Sequence, residues 1–394
     1  MPRLVTAGES HGRAMVVVVD GFPAGIPLSA EDIDRELARR QAGYGRGPRA
    51  RGTVDRARLL AGVADGRTTG APIAIEIANP EPGRSADPEP GEAADDRSAS
   101  GGGPTGRPPV PRPGHADLAA AMKYGAADFW PYAERASARE TAARVAGATV
   151  AKALLAALGV STGCHVTAVG GVASAHRRED RAARLDAAAW REILRVAEAD
   201  PLRCADPETS ARMRETIAAA AEAGDTVGGT FEVVALDCPP GLGGFDQWDE
   251  RLDARLAAAV MSVPGVRAVA VGSGLEAADL PGSLAHDPIV PGPGPFGTFR
   301  PSNRAGGLEG GTTNGQPVVI KAAMKPIPSL ASPPRSVDLT SAKVAPVPRV
   351  RGDICAVPAA AVVAEAMVAW ELARAALERF GGDTLNAVLE AARR

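Results

Sequence analysis

Two of the chain's five histidines stand inside glycine turns. His11 lies in Gly8-Glu9-Ser10-His11-Gly12, just before the apolar run 15–19. His115 lies in Arg112-Pro113-Gly114-His115-Ala116-Asp117. Glycine lets a backbone turn sharply and lets a ligand approach closely. An imidazole held in such a turn suits proton transfer near neutral pH. A lone histidine in a turn is more often a cap or a surface residue. Two in matching settings point to paired acid–base groups. His165, His176 and His286 lack that setting and read as structural or surface residues.

Arginines crowd the segment that follows the first turn: Arg39, Arg40, Arg46, Arg49 and Arg51, then Arg56 and Arg58. The guanidinium fork grips phosphate or carboxylate in two places. Glycines beside Arg46 in Gly43-Tyr44-Gly45-Arg46-Gly47 let backbone pack close to a bound anion. A solvated basic face is the plain alternative. A nucleic-acid surface is another, weakened because Tyr44 is the one aromatic nearby and single-strand binders stack bases on several rings. The glycine-rich stretch 303–315 can cradle phosphate or lie under a flat ring. Lys325-Pro326-Ile327-Pro328-Ser329 and Arg351-Gly352-Asp353 follow it. Lysine, serine and arginine suit an anionic tail, and Asp353 suits a ring nitrogen.

These residues need elements to hold them. Residues 4–6 and 15–20 read as strands on either side of the first turn. Ser29 is a helix N-cap with Asp32 three residues on, and its helix runs to Gln41. Residues 72–78 alternate as a strand and stop before Asn79-Pro80. The proline- and glycine-rich stretch 79–114 reads as a long mobile loop. Ser137-Ala138-Arg139-Glu140 has the form of a capping box. The helix after it runs to Leu158, stops at Gly159 and is apolar nearly all round, as a core helix is. A second such helix is expected from Pro358 to Phe380, with strands at 165–169, 229–236 and 268–271 between the two. Gly66-Arg67-Thr68-Thr69-Gly70-Ala71-Pro72 resembles Gly311-Thr312-Thr313-Asn314-Gly315-Gln316-Pro317, and each enters an alternating run. This faint repeat suggests two similar halves with a site between them. Without a regular βαβ rhythm, the pattern predicts an α+β fold in one domain spanning residues 1–394.

The 394 residues are 45% hydrophobic and 23% charged, enough for a sizeable core. A net charge of -3 gives no reason to expect nucleic-acid or membrane binding. Cys164, Cys204, Cys238 and Cys355 lie far apart with no Cys-x-x-Cys pair, so no metal site or disulfide framework is expected. A reducing, cytoplasmic setting fits. No stretch has the length of a membrane helix, and the start does not read as a signal peptide.

The motifs around His11, Arg40-Gln41-Ala42-Gly43-Tyr44-Gly45-Arg46-Gly47, the motif around His115, Arg135-Ala136-Ser137-Ala138-Arg139-Glu140-Thr141, Asn303-Arg304-Ala305-Gly306-Gly307 and Lys325-Pro326-Ile327 occur in the order and spacing of one family. Together they resemble chorismate synthase across nearly the whole chain. The resemblance implies a sandwich of antiparallel sheets and helices, with long mobile loops. It implies a lyase that eliminates phosphate from 5-enolpyruvylshikimate 3-phosphate to give chorismate. It also implies reduced FMN without net redox change, supplied by a separate NAD(P)H-dependent reductase, and a homotetramer.

By the same resemblance His11 protonates the departing phosphate, His115 tunes the reduced flavin and Asp353 acts near its ring nitrogen. Ser10, Arg40, Arg46, Arg49 and Arg139 fall to the substrate. Arg135, Ala136, Ser137, Gly310, Lys325, Pro326, Ile327, Pro328, Ser329 and Arg351 fall to FMN. The segment 79–114 suits a lid. The chain departs from the family pattern at Gly244-Phe245, Pro264-Gly265 and Gly352, positions near the flavin. A paralogue that binds flavin or an anionic ligand with weak catalysis is therefore the second reading.

Overall fold

The computed structural model describes residues 1–48, 52, 54–79, 107–175, 186–348 and 352–394. Arg49, Arg351, His176 and most of the expected loop 79–114 lie outside them.

Strands β1 (Arg3–Ala7) and β2 (Ala14–Asp20) pair antiparallel around the first glycine turn. Alternation sets the faces: Met15, Val17 and Val19 are buried, whereas Val18 is exposed. Ser29 Oγ accepts from Asp32 N–H at 3.2 Å, and Asp32 accepts from Ser29 N–H at 2.8 Å. This capping box starts α1 (Ala30–Gln41), whose buried face is Ile33, Leu37 and Arg40. Then come β3 (Ala57–Ala61), the hairpin β4 (Val63–Ala64) and β5 (Arg67–Thr68), and β6 (Ile73–Ala78). The first sheet has the order β1-β2-β6-β3.

Two short helices follow, α2 (Asp117–Tyr124) and α3 (Trp130–Arg135), then a 3-10 turn at Ala138–Glu140 and the core helix α4 (Thr141–Ala157). The capping box expected at Ser137 takes another form. Ser137 Oγ accepts from Arg139 N–H, while the Glu140 carboxylate is drawn to Thr6 and to Arg144 one turn on.

The second half begins with β7 (Ser161–Val169) and β8 (Val172–Ala173). Helices α5 (Ala187–Ala199) and α6 (Pro207–Glu222) lead to β9 (Gly229–Leu236). Next are α7 (Leu252–Met261), β10 (Val266–Val271), α8 (Gly282–Ala285) and the hairpin β11 (Val290–Pro291) and β12 (Thr298–Phe299). A second small hairpin, β13 (Leu308–Glu309) and β14 (Thr312–Thr313), leads into β15 (Val318–Met324). The chain continues through β16 (Ser336–Val337) and β17 (Val344–Ala345) to the core helix α9 (Val357–Phe380) and α10 (Leu385–Ala392). This sheet has the order β10-β15-β9-β7-β8.

Apart from β8, the order β7-β9-β15-β10 matches β1-β2-β6-β3. In each half a helix precedes an edge strand, and a two-residue-strand hairpin leads into the next strand of the sheet. The repeated Gly/Thr segments are these hairpins. The fold is α+β, as expected, with all its sheet pairs antiparallel.

Helix α4 packs on β1, β2 and β6, α9 packs on β7 and β9, and the two helices pack on each other. The sheets thus sandwich the helices. A Cβ at Gly147 of α4 would lie 2.9 Å from Val17 Cγ2 and 3.0 Å from Leu4 Cδ1, so glycine sets this close approach. One cluster of buried side chains runs from Met15 to Val388 through both halves. Each large apolar side chain buried there contributes about 1.5–3 kcal/mol. The outer face of the second sheet is also covered: Trp190 and Ile193 of α5 pack on Val234, Leu236 and Val319. Covered on both faces, β9 is buried at every residue from Phe231 to Leu236 rather than at alternate ones, and its one charged residue there, Glu232, pairs with His165.

Candidate active site

Equivalent ends of the two halves meet at the sequence-predicted residues. In the first half, the C-terminal end of α1 turns Arg40 inward. Arg40 Nε donates to Thr141 Oγ1 and Nη2 to the Ala138 carbonyl, each at 2.9 Å, and Nη1 lies 3.7 Å from Asp55. Arg139, just before α4, donates from Nη1 to both oxygens of Asp55, at 2.6 and 2.7 Å. Its Nε donates to Asn79 Oδ1 at 2.8 Å. Asn79 in turn donates to the carbonyls of Gly12 (2.8 Å) and Glu9 (3.2 Å), pinning the first histidine turn.

In the second half, Lys325 follows β15 and donates from Nζ to the Gly114 carbonyl at 2.6 Å. A Cβ at Gly114 would lie 3.6 Å from Pro328 Cβ, and one at Gly352 would lie 2.8 Å from Ser329 Cβ. The strap 325–329 thus runs between the second histidine turn and Gly352. Asp353, next to it, takes Arg46 Nη1 at 2.5 Å and Gly47 N–H at 2.7 Å.

Helix α3 joins the two histidine turns. His11 Nδ1 lies 2.7 Å from Glu134 Oε2, and His11 N–H donates to the same oxygen at 3.0 Å. Arg107 donates to Glu134 Oε1 at 2.9 Å and lays its guanidinium 4.9 Å from the Trp130 ring centroid. Arg112 approaches the same ring at 5.3 Å. Arg112 also binds Asp117 in a fork, at 2.8 and 2.9 Å, and Asp117 Oδ1 lies 2.5 Å from His115 Nδ1. These groups therefore follow one another in a ring: His11, Glu134, Arg107, Trp130, Arg112, His115, the strap, Asp353, Arg46, Arg40, Asp55, Arg139, Asn79 and back to the His11 turn, with Arg46 and Arg40 linked by charge repulsion and not by a contact.

The charges of this ring are set by burial and by one another. Burial, then repulsion from Arg46, presses Arg40 down to about 10, against the pull of Asp55 and Asp353. It remains cationic at neutral pH. Burial alone would raise Glu134, but the bonds from His11 and Arg107 prevail and hold it at about 2. Burial also opposes the ionised form of Asp117, yet His115 and Arg112 hold it well below the usual carboxylate range. The core helices α4 and α9 both begin at the ring, so their partial positive ends add to a field that favours anions. Burial pushes the Cys204 and Cys355 thiols up to about 11 and that of Cys238 to about 12, so these stay protonated.

The predicted residues are not all used alike. Ser10 is buried in the first turn, its N–H on the Glu134 carbonyl. Arg46 and Arg139 line the ring, whereas Arg40 is spent on protein partners behind them. Arg135 donates from Nη2 to Thr6, with Ala136 and Ser137 beside it on the His11 side. Lys325, Pro326, Ile327, Pro328 and Ser329 lie on the other side. Gly310 is not brought to either group. It forms the tip of the β13–β14 hairpin at the Val318 end of β15, whereas Lys325 follows the Met324 end. Of the five positions that depart from the family pattern, Gly265 and Gly352 touch the strap: the Gly265 carbonyl accepts from Lys325 N–H at 2.9 Å. Gly244-Phe245 lies with Gly310, near Gly311.

Five residues of the ring had no assigned role in the sequence reading: Asp55, Asn79, Arg107, Trp130 and Glu134. Arg112 and Asp117 were quoted in a motif but given no task. Nothing local marks Asp55, which sits in a plain charged run. Glu134 had one signal, its place directly before the Arg135–Thr141 motif.

A family profile described as chorismate synthase matches residues 2–377. The chorismate synthase of Moorella thermoacetica is 48% identical over 390 residues, covering 99% of this chain and 97% of that protein. That of Rubrobacter xylanophilus is 49% identical over 381 residues, covering 97% of this chain and 93% of that protein. A crystal structure of chorismate synthase superposes with a TM-score of 0.78 at 37% identity, covering 100% of this chain and 96% of the other.

Proposed function

The chain belongs to the chorismate synthase family, and from that premise we propose how its residues carry out the reaction. The enzyme is a lyase that eliminates phosphate from 5-enolpyruvylshikimate 3-phosphate to form chorismate, the last step of the shikimate pathway. One observation carries the residue assignments. Arg46 Nε and Arg139 Nη2 are buried with no hydrogen-bond partner among the described residues, and so is Arg135 Nη1. An unsatisfied buried donor costs about 1–3 kcal/mol, and a charged one more. A substrate with a phosphate and two carboxylates removes that cost by accepting from these nitrogens.

The family uses reduced flavin, which supplies an electron-rich ring beside the substrate without net redox change. The strap 325–329 and Arg135 fit such a group: the strap is held by Gly114 and packs on Gly352, and Arg135 keeps a spare buried donor for an anionic tail. Arg46 and Arg139 bind and orient the substrate. Both oxygens of Asp353 are engaged by Arg46 and Gly47, so its first task is to aim the Arg46 guanidinium. His11 gives a proton to the departing phosphate. His115, braced by Asp117 and Arg112, holds a proton on the strap side. Arg40 keeps the backbone before α4 in register rather than gripping the substrate.

The same reading brings a separate NAD(P)H-dependent reductase, a homotetramer, a cytoplasmic setting and one domain over residues 1–394. The shared core cluster supports the last of these. Among the described residues no helix is long and apolar enough to cross a membrane. An anaerobic assay with pure substrate and photoreduced FMN tests the reading. Stoichiometric phosphate and chorismate are expected. Flavin-dependent thermal stabilisation without turnover would instead favour the weakly catalytic paralogue.

A further inference from the structure

Glu134 is joined to the first histidine turn by three bonds. Its Oε2 takes both the His11 backbone N–H and the ring Nδ1, and its carbonyl accepts from Ser10 N–H at 3.2 Å. Its second oxygen is held by Arg107, whose guanidinium rests over Trp130 one turn earlier on the same helix. The carboxylate is thus fixed from both sides and cannot swing away from the ring without breaking a second contact. Held near a pKa of about 2, it is ionised across the working range and can only accept. A nitrogen facing an acceptor-only group must carry hydrogen in either charge state of the imidazole. The proton that the ring exchanges is then the one on Nε2.

We propose that Glu134 is a positioning residue that fixes His11 as the Nδ1–H tautomer, so that Nε2 alone gives and takes the catalytic proton. The inference rests on the proton-donor role assigned to His11, but its geometry stands apart from turnover. At His115 a carboxylate faces the same ring nitrogen, with Asp117 Oδ1 2.5 Å from Nδ1, but Arg112 Nη2 also stands 3.1 Å from that nitrogen. The acceptor-only setting on which the assignment rests is therefore that of His11. A structural role for Glu134, as a clamp on the turn alone, predicts something different: it needs the backbone bonds but not the one to Nδ1.

The experiment is nitrogen-15 NMR of the His11 ring at a pH where it is neutral, with kinetics on the same samples. In the wild-type protein Nδ1 should carry the hydrogen. An Nε2–H ring there overturns the proposal whatever the activity. Glu134→Gln keeps the shape and still offers an oxygen to the backbone, but its amide can also donate. It should yield a mixture of tautomers and lower kcat roughly 10- to 100-fold, the usual cost of removing an orienting partner, with little change in KM and a fall in melting temperature that reflects the lost carboxylate charge. Glu134→Asp should recover the Nδ1–H signature and part of kcat. Wild-type kcat in Glu134→Gln, or a loss seen only as unfolding with the Nδ1–H ring intact, overturns the proposal. Absence of turnover in the wild type would sink the functional reading and leave the tautomer result standing on its own.

Discussion

Asn79 follows β6 and Lys325 follows β15, strands that hold the same place in their sheets. Arg139 precedes the core helix α4, and Asp353 precedes its counterpart α9. Ile33, Leu37 and Arg40 line the buried face of α1, whereas Leu252, Leu256 and Ala259 line that of α7 at the same spacing. Like backbone positions thus carry unlike chemistry. The first half presents buried guanidinium groups and a short turn with His11. The second half presents the strap and an acid, and its connection between β7 and β9 is long enough to hold α5, which covers the outer face of its sheet, and α6, whose Met213 and Ile217 join the main core. On the proposed reading, one end of a repeated framework is divided between gripping an anion and holding a flat ring. The hairpins β4–β5 and β13–β14 sit at the opposite end in both halves, which is why Gly310 falls outside the ring.

The contrast breaks most directly at the paired positions before the core helices. Arg139→Ala leaves Asp55, whose side chain is fully buried, with only the longer contact to Arg40 among the described residues. Stranding a buried charge costs about 3–5 kcal/mol, readable by urea denaturation, and turnover should vanish. Asp353→Ala strands Arg46 in a less sealed place and should cost about 1–3 kcal/mol. Equal losses would erase the distinction between a sealed cationic end and a more open strap end. Two histidines sharpen the same point. His115→Ala should lower kcat roughly 10²- to 10⁴-fold with an unchanged melting temperature. His165, buried on Glu232 at 2.9 Å and edge-on to Trp190, should do the reverse when replaced by alanine: lower stability with normal turnover per folded molecule.

Local rules made much of the framework readable. An apolar run marked β2 and alternation marked β6, Ser29 and Asp32 marked the start of α1, and the apolar helices marked the core. The Gly/Thr repeat betrayed the two halves because hairpin chemistry demands those residues at those places. The histidine turns were readable for the same reason. The arginines were not sorted by sequence, and the geometry of a helix explains why. Arg39 and Arg40 are neighbours, but successive residues on a helix point about 100° apart. Arg39 meets Glu36, Glu198 and Glu365, while Arg40 turns to the ring. Arg56 and Arg58 pair with Asp34 and Glu76 on the exposed face, the plain outcome for such a run. Asp55 and Asn79 escaped notice because each acquires its role from Arg139, far along the chain, through contacts that no local pattern encodes.

Acid stability offers a smaller test of how the histidine turns are held. Glu134 is held at about 2 in the folded protein, below the 4.5 of a free glutamate. A carboxylate with a depressed folded pKa contributes its full stability above the unfolded value. That contribution is lost as the pH falls from about 4.5 through 2; with both of its partners about half exposed, solvent screening holds it to about 1–2 kcal/mol. Glu134→Gln should flatten this part of the stability profile. A profile as steep as that of the wild type would mean that other carboxylates, Asp117 first among them, carry the acid sensitivity.

The mildest expected effect lies at Gly352, one of the positions read as departing from the family pattern. Its φ is not left-handed, so backbone strain does not require glycine there. Space does: a Cβ would stand 2.8 Å from Ser329 Cβ and 3.3 Å from the Ser329 carbonyl oxygen. In this chain the strap lies against the place a side chain at 352 would take. Gly352→Ser must therefore push the strap outward by some tenths of an ångström. Affinity for reduced FMN, measured by anaerobic titration, should fall up to about tenfold, or about 1.4 kcal/mol, with kcat at saturating flavin unchanged. Tighter binding would show that the strap is held too close for the flavin as it stands. It would also show that the second half's end of the ring, unlike the guanidinium end, has not reached its best fit.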